Sequence, residues 1–147
     1  MEDVGAAFWE ASRAVRARRE RVLRTHGVHA GQDLLLERLW REDGLTPGEL
    51  AERIGVETPT VTRMAQRMER AGLVRRVKST ADRRLVRVHL TAAGLGLRSV
   101  LPALIARADA QALDGFSPLE RARFVELLGR VTRNLGGRTP AAPALPK

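Results

Sequence analysis

Threonine, arginine and glutamine side chains recur along one predicted helix, residues 58–71, in a pattern suited to hydrogen bonding with DNA bases and phosphates. Val61, Met64 and Met68 stand at positions i, i+3 and i+7, which places them on one buried stripe. The other positions carry Thr60, Thr62, Arg63, Gln66, Arg67 and Arg70. Arginine can bond guanine as a fork, glutamine can do the same to adenine, and threonine suits a phosphate oxygen or a thymine methyl. The alternative is an ordinary solvated helix face, because charged faces are common.

Short capping sequences mark two helix starts in this region. Residues 46–49 (TPGE) form a capping box, in which the threonine oxygen accepts from the glutamate amide and the glutamate accepts from the threonine amide. This pattern predicts a helix of about two turns from Pro47, ended by Gly55. The next start is predicted at Thr58 as N-cap, because Pro59 follows it and disfavours helical angles before it. Together the two helices predict a helix-turn-helix.

A two-stranded hairpin is predicted next, with strands at residues 73–77 and 85–90 and a charged loop at residues 78–84. Between Thr58 and Leu90, nine basic residues stand against two acidic ones, in a chain of formal net charge +9. Basic residues concentrated in this way are expected of a surface that neutralises phosphates, because each contact releases condensed counterions. The hairpin residues predicted to contact DNA are Arg76, Lys78, Arg83 and Arg84, with Arg76 on a phosphate.

The order and spacing of these motifs resemble the MarR family of bacterial winged-helix transcriptional regulators. The matching segments are LTPGELAERIG, TVTR, MERAGLVRR, DRR and LTAAG. The resemblance implies that the helix from Thr58 to Arg70 enters the major groove and that Arg84, at the tip of the hairpin, enters the minor groove. A narrow A·T-rich minor groove has a negative potential that suits an inserted arginine. The resemblance also implies that Asp82 orients neighbouring arginines, although a simple turn residue is the alternative.

Two helices are predicted before the capping boxes, at about residues 3–24 and 30–42. The first has an apolar stripe made of Val4, Phe8, Ala11, Val15 and Val22. From residue 13 onward, its other face carries Arg13, Arg16, Arg18, Arg19, Arg21 and Arg24 against Glu20 alone. Such a face could attract DNA or an anionic ligand, but a run of charge usually means only that the face is solvated.

Two further helices are predicted after the hairpin. The first is a threonine-capped helix at residues 91–113, which Pro102 should bend near Ser99. A second capping box opens a final helix at residues 117–135. Residues 136–147 have no core-forming pattern and are predicted to be mobile.

The predicted fold is mainly α with a small β-hairpin wing (α+β): a winged helix-turn-helix core flanked by N- and C-terminal dimerisation helices. We divide the chain into an N-terminal dimerisation helix (residues 1–28), a DNA-binding region (29–97), C-terminal dimerisation helices (98–135) and a tail (136–147). The terminal helices exceed what one small core can cover, so a partner chain is expected, and a monomer with the helices folded back is the alternative. In the MarR family such helices interlock into a homodimer, which would present two recognition helices to successive major grooves about 34 Å apart.

The MarR resemblance also implies a small aromatic or anionic effector, bound between the dimer helices and the DNA-reading lobe. Candidates to line its pocket are Trp9, Arg13, His26, His29 and Gln32. A lone tryptophan on an amphipathic helix is more often a core residue, and we favour that interpretation for Trp9 and Trp40. With three histidines and no cysteine, neither metal sensing nor thiol oxidation is expected as a switch.

The composition favours a DNA-binding protein over an enzyme. A length of 147 residues with 44% hydrophobic residues fits one domain with appendages. The chain has no long apolar run and no signal-peptide pattern, which predicts a cytoplasmic protein without membrane contact. It has no glycine-rich phosphate loop and no set of nucleophile, histidine and carboxylate, so neither catalysis nor a cofactor is expected.

The predicted function is that of a sequence-specific double-stranded DNA-binding transcriptional regulator, which the MarR resemblance makes a ligand-responsive repressor. The alternative is a non-specific architectural or protein-docking winged-helix module, which would use the basic face without choosing a sequence.

Overall fold

The computed structural model describes residues 3–137, which divide into two compact units, one ending at Ala112 and the other beginning at Leu113. The first unit contains, in chain order, α1 (Val4–Arg24), α2 (Gln32–Arg41), α3 (Pro47–Ile54), α4 (Thr58–Arg70), β1 (Val74–Lys78), β2 (Val86–Leu90), α5 (Ala92–Gly96), a 3-10 turn (Leu97–Ser99) and α6 (Leu101–Gln111). The second unit contains α7 (Pro118–Asn134). The predicted mobile tail lies, from residue 138 onward, outside the described residues.

The core of the first unit forms where α2, α3, α4 and the hairpin meet. Its fully buried large side chains include Leu35, Leu36, Leu39, Leu50, Val61, Met68, Val74 and Val88. On α4 the buried stripe is Val61, Ala65 and Met68, each 0% exposed, while Met64 is only partly buried. The opposite side of α4 is polar and faces solvent.

Both predicted capping boxes are confirmed. The Thr46 hydroxyl accepts from the Glu49 amide at 3.2 Å, and the Glu49 carboxylate accepts from the Thr46 amide at 2.8 Å. The corresponding distances for Ser117 and Glu120 are 3.3 and 2.8 Å. Gly55 ends α3 at φ +82°, a left-handed conformation that glycine adopts without strain, as predicted.

The prediction that Thr58 is the N-cap of α4 is wrong. Glu57 is the extended N-cap residue, and Thr58 is already the first helical residue. Pro59 therefore sits one position later than predicted. This is tolerated because the amides of the first helical turn have no partner within the helix, so the missing proline N–H removes no hydrogen bond.

The hairpin is antiparallel, with Val74 opposite Leu90 and Lys78 opposite Val86. Each strand begins one residue later than predicted. Sequence analysis missed a third partner: Leu45, between α2 and α3, bridges to Val88, whose amide donates to the Leu45 carbonyl at 2.9 Å. Strand β2 therefore lies between β1 and the α2–α3 connection, and β1 is the edge strand.

The predicted bent helix at residues 91–113 is interrupted at the expected place. Thr91 caps α5 by accepting from the Gly94 amide at 3.1 Å, and the 3-10 turn then separates α5 from α6. Pro102 lies in the first turn of α6. It has no backbone N–H to bond the preceding turn, and its ring would clash with a carbonyl there, so the helix cannot continue through it from α5.

The two tryptophans occupy different environments. Trp40 is partly buried against the core and donates its indole N–H to the Gly94 carbonyl at 2.9 Å. Trp9 is 67% exposed, so the prediction that it is a core residue is wrong for the chain by itself. Val4 and Phe8 on α1 are also exposed. Across residues 3–137, no helix combines the length and apolar character needed to cross a membrane.

Replacing Gly94 with alanine should destabilise the protein, because a Cβ at this position would lie 2.1 Å from the Leu73 carbonyl oxygen. We expect a loss of at least about 2 kcal/mol in the free energy of unfolding, measured by urea titration followed by circular dichroism. The matched control is Gly96→Ala at the end of the same helix, where an added Cβ would meet no atom within 4 Å other than those of its own helix backbone and chain neighbours. That change should be neutral or stabilising by up to about 1 kcal/mol. Equal stabilities for the two variants would contradict this account of the contact.

Candidate nucleic-acid interface

The solvent face of α4 brings together four of the side chains predicted to read DNA. Arg63, Gln66, Arg67 and Arg70 are all exposed, and helical geometry places them within an arc of about 100°. Within residues 3–137, no carboxylate oxygen lies within 4.0 Å of these three arginine side chains. Their guanidinium groups are therefore available to an external acceptor.

The predicted threonines are less accessible than these arginines. Thr58 is exposed at the first turn of α4, whereas Thr60 and Thr62 are half-buried. The Thr62 hydroxyl donates to the Thr58 carbonyl at 3.1 Å, so part of its hydrogen-bonding capacity is used by the helix backbone. Thr60 lines a groove together with Arg63 and Arg67.

The loop of the wing (residues 79–85) is organised by its own backbone. The Ser79 amide donates to the Leu85 carbonyl at 2.8 Å, which closes the loop. The Asp82 carboxylate accepts from the backbone amide of Arg84 at 3.0 Å. Asp82 thus fixes the backbone at Arg84, as a turn residue does, and within residues 3–137 it forms no ion pair with an arginine side chain. The predicted contacts on this loop, Lys78, Arg83 and Arg84, are exposed.

Arg76 differs from the other predicted contacts because Glu69 holds it. The Arg76 Nε and Nη2 atoms each lie 3.1 Å from Glu69 Oε1, and the Arg76 backbone amide donates to Glu69 Oε2 at 2.7 Å. The bond from the Arg76 backbone amide, then the one from its side chain, lowers the pKa of Glu69 below its ordinary value. This link ties the end of α4 to β1 and so connects the wing to α4.

Sequence analysis missed the Glu69 link and the inward position of Arg87. A usable signal was available for Glu69, which is one of only two acidic residues between Thr58 and Leu90. Arg87, counted among the basic residues of the hairpin, is half-buried and donates to the Gly44 carbonyl at 2.8 Å. Arg87 therefore holds β2 to the α2–α3 connection.

The five residues predicted to line an effector pocket are not brought together by the chain. His29 and Gln32 line the groove of about 440 Å³ beside α4, with Thr60, Arg63, Met64 and Arg67. Arg13 lines a separate open hollow with Glu10, Ala14 and Ala17 on α1. His26 contacts the Thr25 hydroxyl at 2.9 Å, and Trp9 lies in the N-terminal half of α1. Among residues 3–137, no group of three histidine, aspartate or glutamate side chains is arranged to hold a metal ion.

Comparison of the sequence with known proteins shows which family the chain belongs to. The sequence model of the MarR family matches residues 30–86. Over 98 residues the chain is 33% identical to the HTH-type transcriptional regulator TtmR of Methylorubrum extorquens; this match covers 67% of the chain and 50% of TtmR. The chain belongs to the MarR family. It spans about half the length of the curated relative it matches.

Solved structures share the fold of this MarR-family chain. A MarR transcriptional regulator from Methanosarcina mazei Go1 is 25% identical, with a TM-score of 0.76 over 91% of this chain and 96% of that one. MepR of S. aureus, solved in complex with DNA, is 20% identical, with a TM-score of 0.81 over 91% of this chain and 99% of that one. The predicted winged helix-turn-helix fold is confirmed.

The segment that matches the MarR family encloses the interface described above. Residues 30–86 run from just before α2 to the first residue of β2, and they include every residue predicted to contact DNA, from Thr58 to Arg84. The link between Glu69 and Arg76 lies within the same segment. The first and last helices of the chain, α1 and α7, lie outside it.

Replacing Glu69 with glutamine should lower stability in a pH-dependent way. The folded protein lowers the pKa of Glu69, so its contribution is fully present above the ordinary pKa of 4.5 and is lost as the pH falls through the folded value. We therefore expect wild type to exceed Glu69→Gln in urea midpoint at pH 7, with the difference shrinking below pH 4.5. The control is Glu52→Gln, an exposed carboxylate on α3, which should change the midpoint little at either pH. A difference that stays constant down to pH 2.5 would contradict the assigned role.

Proposed function

We propose that this protein is a sequence-specific double-stranded DNA-binding transcriptional regulator. The observation that carries the proposal is the exposed face of α4, where Arg63, Gln66, Arg67 and Arg70 lack acidic partners within residues 3–137. The opposite face of the same helix is fully buried, so these side chains project from a rigid element. Arginine and glutamine on a helix of this kind can distinguish bases in the major groove. Membership of a family of transcriptional regulators supports the proposal and argues against an enzymatic role.

The wing supplies the second part of the proposed DNA contact. Arg84 would enter the minor groove, with its backbone fixed by Asp82, while Lys78 and Arg83 would hold phosphates on either side. Phosphate contacts of this kind fix the register of a protein on DNA, whereas base contacts specify the sequence. Arg76 stays a predicted phosphate contact, with its Nη1 atom outside the bonds to Glu69.

We further propose that the protein acts as a homodimer on a pseudo-palindromic site. On α1, Val4, Phe8 and Val15 lie on one stripe and are exposed. On α7, Phe124, Leu128 and Val131 share one face and are 39%, 37% and 37% exposed. Apolar helix faces of this extent need a covering surface, and a second copy would supply one. Two-fold symmetry would then present two α4 helices to successive major grooves.

The groove beside α4 is the site that we propose for a small anionic effector. Its lining includes two arginines and His29, and an anion bound there would occupy guanidinium groups that DNA also requires. Release of DNA on binding such an anion would make the protein a ligand-responsive repressor. An aromatic effector has less support, because Trp9 does not line this groove.

Selection of bound sequences from random duplexes tests the proposed function. We expect one half-site to be enriched, repeated with two-fold symmetry about one helical turn apart. On that site, Arg63→Ala should cost about 1–3 kcal/mol and relax the preference at a single base position, as measured by fluorescence anisotropy with base-substituted duplexes. The control is Arg123→Ala on α7, which should change neither affinity nor preference. Equal affinity for selected and scrambled duplexes at physiological salt would instead favour a non-specific architectural module.

Placing a charge in the apolar face of α7 should disrupt the homodimer. Leu128 lies on that face and is 37% exposed, so we expect Leu128→Glu to shift the protein to a monomer in light scattering. Arg130→Glu, on the opposite face of α7, is the control and should leave the dimer intact. A dimer of unchanged stability in the Leu128 variant would show that this face of α7 does not form the interface.

A further inference from the structure

We propose that α1 carries a second DNA-contacting surface, which holds the phosphates of the duplex flanking the site read by α4 and the wing. This surface, the α1 arginine face, consists of Arg16, Arg21 and Arg24. The inference rests on the proposed DNA-binding function and extends it, because it assigns a partner to a helix outside the segment that matches the MarR family.

The structure separates the arginines of α1 into engaged and free groups. Arg18 donates to the Gln111 side chain on α6, and Arg19 lies 3.6 Å from both Asp33 and Asp109. These two arginines join α1 to its neighbours. Arg13, Arg16, Arg21 and Arg24 are exposed, and within residues 3–137 none has a carboxylate within 4.0 Å; the last three lie in the C-terminal half of α1. Their charge is therefore not used to hold the first unit together.

The acidic residue among these arginines is held by a neighbouring turn. Glu20 Oε1 lies 2.7 Å from His29 Nδ1, and Glu20 Oε2 accepts from the Ala30 amide at 2.6 Å. The Ala30 amide, followed by the His29 side chain, lowers the pKa of Glu20. Since both carboxylate oxygens bond the turn, Glu20 forms no ion pair with Arg16 or Arg24, one helical turn away on either side.

The same turn connects the α1 arginine face to the recognition helix. His29 and Ala30 line the groove whose other wall includes Thr60, Arg63 and Arg67 of α4. Glu20 of α1 bonds this turn, so α1 is joined to the wall of the groove beside the exposed arginines of α4. All of these residues belong to the first unit.

The arrangement of the charges fits an extended polyanion better than a small one. Arg16 and Arg24 are eight residues apart, which corresponds to about 12 Å along the helix axis. Duplex DNA carries one negative charge per roughly 1.7 Å of its axis, so a row of this length can follow several phosphates. A small anion would instead require arginines that converge on one point. DNA that leaves the α4 site is a partner of matching shape and charge.

The test compares two duplexes that contain the site selected from random DNA: a short one that ends at the site, and one extended by about 10 base pairs of unrelated sequence on each side. We expect wild type to bind the extended duplex several-fold more tightly in fluorescence anisotropy at 0.15 M salt. The variant R16Q/R21Q/R24Q should bind the short duplex like wild type and lose most of the gain from extension. Its plot of log K against log salt on the extended duplex should be shallower by about 0.9 for each phosphate that the variant no longer neutralises.

Two matched variants separate a local contact from a general charge effect. R98Q/R107Q/R130Q removes the same number of charges from exposed positions elsewhere and should keep the gain. R16K/R21K/R24K keeps the charge and should keep the gain, because lysine also pairs with phosphate. If thermal unfolding shows that the glutamine triple is not folded, Arg21→Glu alone takes its place and should reduce the gain.

The proposal is overturned if extension brings wild type no gain, if R16Q/R21Q/R24Q keeps the gain, or if both glutamine triples lose it equally. It is also overturned if R16Q/R21Q/R24Q weakens binding to the short duplex as much as to the extended one, because the arginines would then act within the selected site or on an effector. Failure of wild type to prefer the selected duplex over a scrambled one is a different result, since it would refute the proposed function itself.

Discussion

Complete burial of one side of α4 is the constraint on which the proposed DNA-binding surface depends. Val61, Ala65 and Met68 are each 0% exposed in the core formed with α2, α3 and the hairpin. A helix that is anchored along its whole length on one side cannot rotate about its axis without exposing apolar area, at about 25 cal/mol for each Å². Arg63, Gln66 and Arg67 are therefore directed outward by residues that are themselves fully buried.

The wing is positioned by three specific contacts in addition to the burial of Val74 and Val88 in the core. Glu69 fixes β1 to the end of α4, Arg87 fixes β2 to the α2–α3 connection, and Gly94 packs against the Leu73 backbone below the hairpin. Each contact alone is small, but together they act at three different points around a two-stranded sheet. A two-stranded sheet by itself is marginally stable in water, so the hairpin depends on these contacts and on its buried face for stability.

Features that depend on residues three or four apart could be predicted from the sequence. The capping boxes at Thr46 and Ser117, and the break before Pro102, are set by neighbours in the chain, and the structure has them. Contacts between distant segments could not be predicted, because periodicity carries no information about which elements meet. The bridge from Leu45 to Val88 is of this kind. The exposure of Trp9 is another, since it depends on which segments pack against α1.

The edge strand described above has a further consequence for the behaviour of the free protein. An uncovered edge offers unpaired amides and carbonyls to a second chain, and natural proteins discourage such pairing with charged side chains. Strand β1 carries Arg75, Arg76 and Lys78, and Glu69 already occupies the backbone amide of Arg76. The charges suited to phosphate therefore also keep this strand from adding to another molecule's sheet, so an attempt to weaken DNA binding by neutralising β1 would favour aggregation of the protein.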